Sequence, residues 1–191
     1  MSTAAAGFRR LLEAFDRLGI NYMAGGSLAS SVHGIPRSTN DIDLIAAIGR
    51  RHVAPLIAEV SAEFYIDPPE AIHKALEAGR MFNLIHFASS YKFDIYPLSS
   101  EPYQQAAFSR RVIRESPFEE EPRRPLYVAT AEDTILAKLA WYKASNQVLE
   151  RQWSDVLDVA RVQGERLDLA YLRQWAGELG VAELLEEALR V

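Results

Sequence analysis

Two aspartates one residue apart, Asp41 and Asp43, open an apolar run that reads Asp41-Ile42-Asp43-Leu44-Ile45. In an extended strand alternate side chains share a face, so the two carboxylates lie on one side, about 7 Å apart at the backbone, with Ile42 and Leu44 on the other. A third carboxylate, Asp94, sits between Phe93 and Ile95 in a second apolar run. If those two neighbours pack inward, Asp94 turns to the side where Asp41 and Asp43 also point. Any one of these aspartates alone reads as a solvated strand-edge residue or an ion-pair partner. Three together repel one another and drift toward the protonated form unless cations keep them ionised. Oxygen donors, retained water and ligands shared with phosphates suit Mg²⁺, with Mn²⁺ as its substitute. A pair of such ions would activate an attacking hydroxyl and steady departing phosphates.

A second feature precedes these carboxylates. Gly25-Gly26-Ser27 lies between a short apolar run, Tyr22-Met23-Ala24, and a short helical pattern. Paired glycines let backbone N–H groups approach an anion, and a helix N-terminus adds favourable partial charge. The commoner reading of such a turn is a plain helix start with Ser27 as its N-cap. Arg37 and Thr39 stand just before the aspartate pair, where a guanidinium can grip a phosphate with two bonds and a hydroxyl can bond phosphate or its own turn.

The elements that must carry these groups follow from periodicity. Phe8, Leu11, Leu12, Phe15 and Leu18 recur at spacings of three and four, the apolar face of a helix over about 4–18 that Gly19 ends. A strand over 21–24 leads through the glycine turn into a helix over 27–33, closed by Gly34 and Pro36. A strand is expected over 41–48, a helix through Val53, Leu56, Ile57 and Val60, and a short helix over 69–77. Runs 81–88 and 91–98, joined by Ser89-Ser90, read as a hairpin with Asp94 in its second strand. Ser109–Glu115 reads as a further strand, and Ser116–Pro125 as an acidic, proline-rich loop. From Ala131 the pattern is helical to the end: Ile135, Leu136, Leu139 and Ala140 in one helix, Trp153, Val156, Leu157 and Ala160 in the next, then two short ones. The expected architecture is α/β, a mixed sheet flanked by helices over residues 1–125, followed by a helical lobe over 126–191.

Composition bounds the rest. The 191 residues are 49% hydrophobic, enough to bury a core without staples. There is no cysteine, which removes disulfides, thiolate metal sites and cysteine nucleophiles. His52, His73 and His86 have no zinc-ligand spacing. The formal net charge of −5 argues against a general basic platform for nucleic acid. The N-terminal residues lack the basic start and apolar stretch of a secretory signal, and no apolar run reaches the ~20 residues that span a bilayer. A cytoplasmic protein with no membrane partner is expected.

Gly25-Gly26-Ser27 followed by His33-Gly34-Ile35-Pro36-Arg37-Ser38-Thr39-Asn40-Asp41-Ile42-Asp43-Leu44 resembles the signature of the DNA polymerase beta-type nucleotidyltransferase superfamily. Within it the chain is most similar to bacterial minimal nucleotidyltransferases and to abortive-infection toxins of the AbiEii kind. In the helical half the resemblance rests on Glu132-Asp133-Thr134-Ile135-Leu136-Ala137-Lys138-Leu139 and on Arg151-Gln152-Trp153-Ser154-Asp155-Val156-Leu157-Asp158. It implies the nucleotidyltransferase fold, Asp41, Asp43 and Asp94 as metal ligands, and a nucleotide site of Gly25, Gly26, Ser27, Arg37 and Thr39 that Lys138 and Asp155 complete. Lys138 would neutralise triphosphate charge, and Asp155 would orient a basic side chain or a hydroxyl. As ordinary helix residues they would be a surface lysine and half of an Arg151–Asp155 pair worth about 0.3–0.5 kcal/mol.

The activity so implied is transfer of a nucleoside monophosphate from a nucleoside triphosphate to an acceptor hydroxyl, with release of pyrophosphate. The acceptor would be a tRNA 3′ end in a toxin paired with an antitoxin protein, a partner protein's side chain, or a small molecule such as an antibiotic. The competing class is a non-catalytic module that binds a nucleotide or a partner. His33, at a helix end, reads as a carbonyl partner. Trp141, Tyr142 and Trp153 read as core aromatics. The pairs Arg50-Arg51, Arg110-Arg111 and Arg123-Arg124 read as solvated surface unless gathered on one side.

Overall fold

The structure is a computed structural model in which residues 3–115, 125–148 and 150–190 are described. Contacts group the chain into two compact units, Met1–Ala24 with Thr39–Val128, and Gly25–Ser38 with Ala129–Val191. The sequence suggests a single cut after residue 125. The contact grouping is discontinuous, because the segment with the glycine turn packs on the C-terminal helices and residues 125–128 pair into the sheet.

The first unit contains α1 (Thr3–Arg17), β1 (Tyr22–Ala24), β2 (Asp41–Ala46), α3 (Arg50–Val60), β3 (Phe64–Ile66), α4 (Pro69–Glu77), β4 (Phe82–His86), β5 (Lys92–Pro97), α5 (Pro102–Arg110), β6 (Val112–Glu115) and β7 (Pro125–Val128). Among the described residues these strands form one mixed sheet in the order β3-β4-β5-β2-β1-β7-β6. Its apolar face buries Ile42, Leu44, Leu84, Phe93 and Ile95. Helix α1 turns Phe8, Leu11, Leu12 and Phe15 inward, and Phe8 stacks on Phe93 with ring centroids 6.0 Å apart. Gly7 permits that approach, since a Cβ there would fall 2.6 Å from the His86 ring. Arg10 and Arg17 of α1 tie to Glu59 and Glu63 in and just after α3.

Three elements escape the periodic reading. Strand β3 is three residues long, too short to show alternation. Helix α5 begins with proline at its first turn and carries little apolar periodicity. It takes Ser109 and Arg110, so the strand expected over 109–115 shortens to Val112–Glu115. Strand β7 starts on Pro125, a first position where the missing N–H costs no ladder bond. The rest of the expected loop, residues 116–124, lies outside the described residues, as do Arg123 and Arg124.

The second unit contains α2 (Gly26–His33), α6 (Ala131–Ala144), α7 (Glu150–Gln163), α8 (Leu169–Glu178) and α9 (Ala182–Ala188). Its core is Leu28, Ile135, Leu136, Leu139, Val156, Val159, Leu172 and Leu185. Thr130 caps α6 by accepting from the Asp133 N–H at 3.1 Å. Asp133 in turn accepts from the Thr130 and Tyr171 hydroxyls, each at 2.7 Å, which satisfies a buried carboxylate. Gly34 ends α2 against α7, where a Cβ would stand 3.0 Å from the Val159 backbone nitrogen. Among the described residues, no helix is long and apolar enough to cross a membrane.

Candidate functional site

In the first unit, β2 and β5 run parallel in a register that sets Asp41 opposite Lys92, Asp43 opposite Asp94, and Ile45 opposite Tyr96. Residues opposite one another share a face, so Asp41, Asp43, Lys92, Asp94 and Tyr96 project together, away from buried Ile42, Phe93 and Ile95. The Lys92 ammonium lies 3.0 Å from Asp94 Oδ2 and 3.5 Å from Asp41 Oδ1. Its pKa is raised, first by the hydrogen bond to Asp94, against a smaller desolvation penalty. Burial, and after it the charges of Asp43, Asp94 and Asp41, push the Tyr96 phenol up to about 12, and Tyr96 hydrogen-bonds to Asp43.

Asp94 is buried, and its Oδ1 has no hydrogen-bond partner. Strand β4 places Asn83 opposite Asp94, and Asn83 Oδ1 is likewise buried without a partner. Among the described residues, no three carboxylate or imidazole groups stand as a ready metal cluster; the cation in this row is the Lys92 ammonium. The donor set nevertheless suits a divalent cation: carboxylate oxygens on one face, with one buried oxygen left over at Asp94.

The second unit holds the remaining candidates except Thr39, which belongs to the first. Gly25 occupies the N-cap of α2 with extended backbone, and Gly26 has φ +52°, the left-handed region that glycine enters freely. Ser27 is therefore not the N-cap, because Gly25 takes that place and α2 has no side-chain cap. Its hydroxyl instead accepts from Arg37 Nη2 at 2.7 Å. Arg37 grips Asp155 with two bonds, Nε to Oδ1 and Nη2 to Oδ2, both 2.9 Å. Lys138 Nζ donates to the same Oδ2 at 2.7 Å. Lys138 is 5% exposed and Asp155 4%, so this is a buried cluster on α6 and α7, and the Asp155 partners are Arg37 and Lys138 where helix spacing suggested Arg151.

Burial alone would push the Asp155 carboxyl up, but the hydrogen bonds and charges of Arg37 and Lys138 outweigh it and hold it below the usual carboxylate value. The bond to Asp155 raises Arg37 in turn. A carboxyl depressed in the folded state contributes stability that is full above its unfolded pKa of about 3.9 and is lost as pH falls through the folded value. We therefore expect an acid-side loss of melting temperature below about pH 4 that Asp155→Asn lacks, measured by thermal unfolding at stepped pH.

Thr39 serves its own turn, donating to the Asp41 carbonyl at 2.9 Å and accepting from the Asp41 N–H at 3.3 Å. His33 Nε2 lies 2.7 Å from the Ala129 carbonyl. Trp141 is not core: it is 57% exposed, because α6 turns that side outward. Tyr142 and Trp153 stack on each other at 5.4 Å, half-buried. Arg50 pairs with Glu77, and Arg111 lies over the Phe108 and Tyr127 rings.

Sequence reasoning passed over Lys92, Tyr96 and Asn83. The first two flank Asp94 at a spacing of two, so strand alternation alone places them on its face. Asn83 needed the β4–β5 register.

No family model matches the chain, and no curated protein matches it in sequence. Among solved structures it is similar to the antibiotic-resistance factor ANT(2'')-Ia, with TM-score 0.57, 16% identity, and 97% of this chain and 98% of that one covered. A second ANT(2'')-Ia structure, in complex with adenylyl-2''-tobramycin, gives TM-score 0.55 at 17% identity over 91% and 97% of the two chains. An antigenic nucleotidyltransferase-like protein from Paracoccidioides brasiliensis gives TM-score 0.55 at 16% identity over 95% and 93%. The mixed sheet with its flanking and C-terminal helices is thus the nucleotidyltransferase fold.

Proposed function

We propose that the chain is a metal-dependent nucleotidyltransferase that moves a nucleoside monophosphate from a nucleoside triphosphate to an acceptor hydroxyl. The observation that carries this reading is the carboxylate row of β2 and β5, with the buried, unpartnered Asp94 Oδ1 beside the Lys92 ammonium. In the reaction the acceptor oxygen bonds to the α-phosphorus, the bond from that phosphorus to the bridging oxygen breaks, and pyrophosphate leaves. The hydroxyl proton passes to a carboxylate, for which buried Asp94 is the candidate base. Asp41, Asp43 and Asp94 would hold Mg²⁺, two ions by preference, which when bound supply Lewis-acid charge to the phosphates. Tyr96 keeps Asp43 oriented as a protonated donor.

Each candidate of the second unit enters by its own chemistry. Gly25 and Gly26 offer backbone N–H groups to phosphate oxygens. Arg37, held flat by Asp155 and Ser27, presents its remaining N–H donors to phosphate, and Lys138 adds positive charge. In the first unit, Thr39 shapes the approach to Asp41. The cytoplasm, where triphosphates are abundant, is the proposed location.

For the acceptor, likeness to ANT(2'')-Ia favours a small molecule over the tRNA 3′ end and cognate antitoxin that the toxin resemblance suggests. Arg50 and Arg111 support that preference, being engaged by Glu77 and by aromatic rings of the protein itself. The test is transfer of label from α-³²P-labelled ATP, CTP, GTP or UTP to a panel of hydroxyl acceptors with Mg²⁺, and its loss with chelator. Absence of triphosphate binding under these conditions would remove the proposal's basis, and binding without any product would favour the non-catalytic module.

Lys92 supplies a separate prediction. Its ammonium competes with a metal for Asp41 and Asp94, so Lys92→Met is expected to bind Mn²⁺ alone about tenfold more tightly, by titration calorimetry, because a like charge at contact distance opposes the ion. Equal affinity in the two proteins would contradict that placement.

A further inference from the structure

The C-terminal helices enclose a feature that nucleotidyl transfer does not use. Between α7, α8 and α9 the second unit holds an open-sided cleft of about 480 Å³, a volume in the range of small-molecule sites. Ser27, Arg37, Lys138 and Asp155 do not line it. Its shape follows from the path of the chain after α7. Gly164 leaves that helix at φ +51°, the left-handed region open to glycine, and no atom lies within 4 Å of the place its Cβ would take. Asp168 then fixes the turn: its N–H donates to Glu132 Oε1 and its carboxylate caps α8 by accepting from the Tyr171 N–H, both at 3.0 Å. With Asp168 so held, Leu167 enters the cleft at 7% exposed and Leu169 stands at its mouth at 39%.

The floor is apolar, made by Leu157 and Ala160 of α7, by Leu167, and by Ala188 and Leu189 at the end of α9. The rim is charged, and unevenly. Arg173 of α8 reaches Glu186 of α9, Nε to Oε1 at 2.7 Å, so these two charges satisfy each other. The bond and charge of Arg173, and after them the charge of Arg190, hold the Glu186 carboxyl below its usual value, which sets Arg190 near the pair. Three guanidiniums against two carboxylates leave the rim one positive charge in excess. Among the described residues, Arg161 and Arg190 are bonded to no carboxylate.

An apolar floor selects a hydrocarbon body, and uncommitted guanidiniums at its edge select an anion. Glu165 and Glu186 on the same rim repel a group with several negative charges, which favours a head that carries one. We propose that this cleft binds a small amphiphilic monoanion, a free carboxylic acid with an apolar chain of about ten carbons, its carboxylate held by Arg161 and Arg190. The site lies wholly in the second unit, and its occupancy does not depend on nucleotidyl transfer. Helix α7 carries Leu157 on this floor and Asp155 in the ion cluster, so an occupant also stabilises the unit that holds Arg37 and Lys138.

The test titrates the full chain calorimetrically with sodium decanoate below its micelle concentration, and with decyltrimethylammonium as the same chain under the opposite charge. Decanoate is expected to bind with a Kd of about 10⁻⁵–10⁻⁴ M and to raise the melting temperature, with the cation about tenfold weaker or less. Arg161→Gln/Arg190→Gln is expected to lower decanoate affinity about tenfold through loss of the charge-assisted bonds. Ala160→Met is expected to lower it similarly, because the longer side chain occupies the floor, and a melting curve without ligand reports the folding of each variant. Phosphatidylglycerol vesicles separate a free acid from a lipid surface. The proposal is overturned if decanoate does not bind, if decyltrimethylammonium binds as tightly, if either folded variant binds decanoate as the parent does, or if the chain binds the vesicles but not decanoate.

Discussion

Asp94→Asn is expected to lower nucleotidyl transfer by about 10²- to 10⁴-fold while leaving the fold intact. Asn matches Asp in shape, and Asp94 is flanked on its strand by Phe93 and Ile95, fully buried anchors that hold β5 in place. What the substitution removes is the charge beside Lys92, one of the two carboxylate oxygens, and the capacity to take a proton. Under the proposed chemistry the loss falls on kcat more than on the KM for triphosphate, because proton acceptance matters most in the transition state. Initial rates of label transfer, read beside a melting curve, give the answer. A variant that keeps transfer within a few-fold of the parent would exclude Asp94 as ligand or base.

The second large effect concerns stability. Asp155→Ala leaves Lys138 buried with its counter-ion gone and frees both Arg37 bonds. Removing one partner of a buried ion cluster costs about 3–5 kcal/mol, because the remaining charge stays desolvated. For a chain of this size that corresponds to a fall in melting temperature of about 10 °C. The double variant Lys138→Met/Asp155→Ala should recover part of the loss, since the methionine side chain tolerates the same apolar surroundings without charge. A single variant within about 1 kcal/mol of the parent would mean that the cluster is hydrated, as a surface pair is.

Both predictions draw on residues the sequence could point to, but to different depths. Asp41 and Asp43 are legible because strand alternation is local: with Ile42 and Leu44 buried, the carboxylates have only one side to occupy. The same rule makes Lys92 and Tyr96 companions of Asp94. Helices α1 and α3 and the β4–β5 hairpin are legible for a similar reason, their apolar spacing being written within a dozen residues. Strand β3, by contrast, is too brief to show a period, and β7 gains its strand character from pairing with β1, a partner about a hundred positions away.

By itself, then, the sequence determined which residue types could do chemistry, which face of its own strand each carboxylate takes, and that a glycine turn opens α2. Tertiary structure alone decided that Asp94 stands opposite Asp43 with Asn83 beside it, that Tyr65 and Ile85 extend the same face, and that Asp155 binds Arg37 across 118 positions of chain. The physical reason is that side-chain direction along a strand or helix is set by local backbone geometry, whereas strand register and buried ion pairing are set by the packing of segments far apart in the chain.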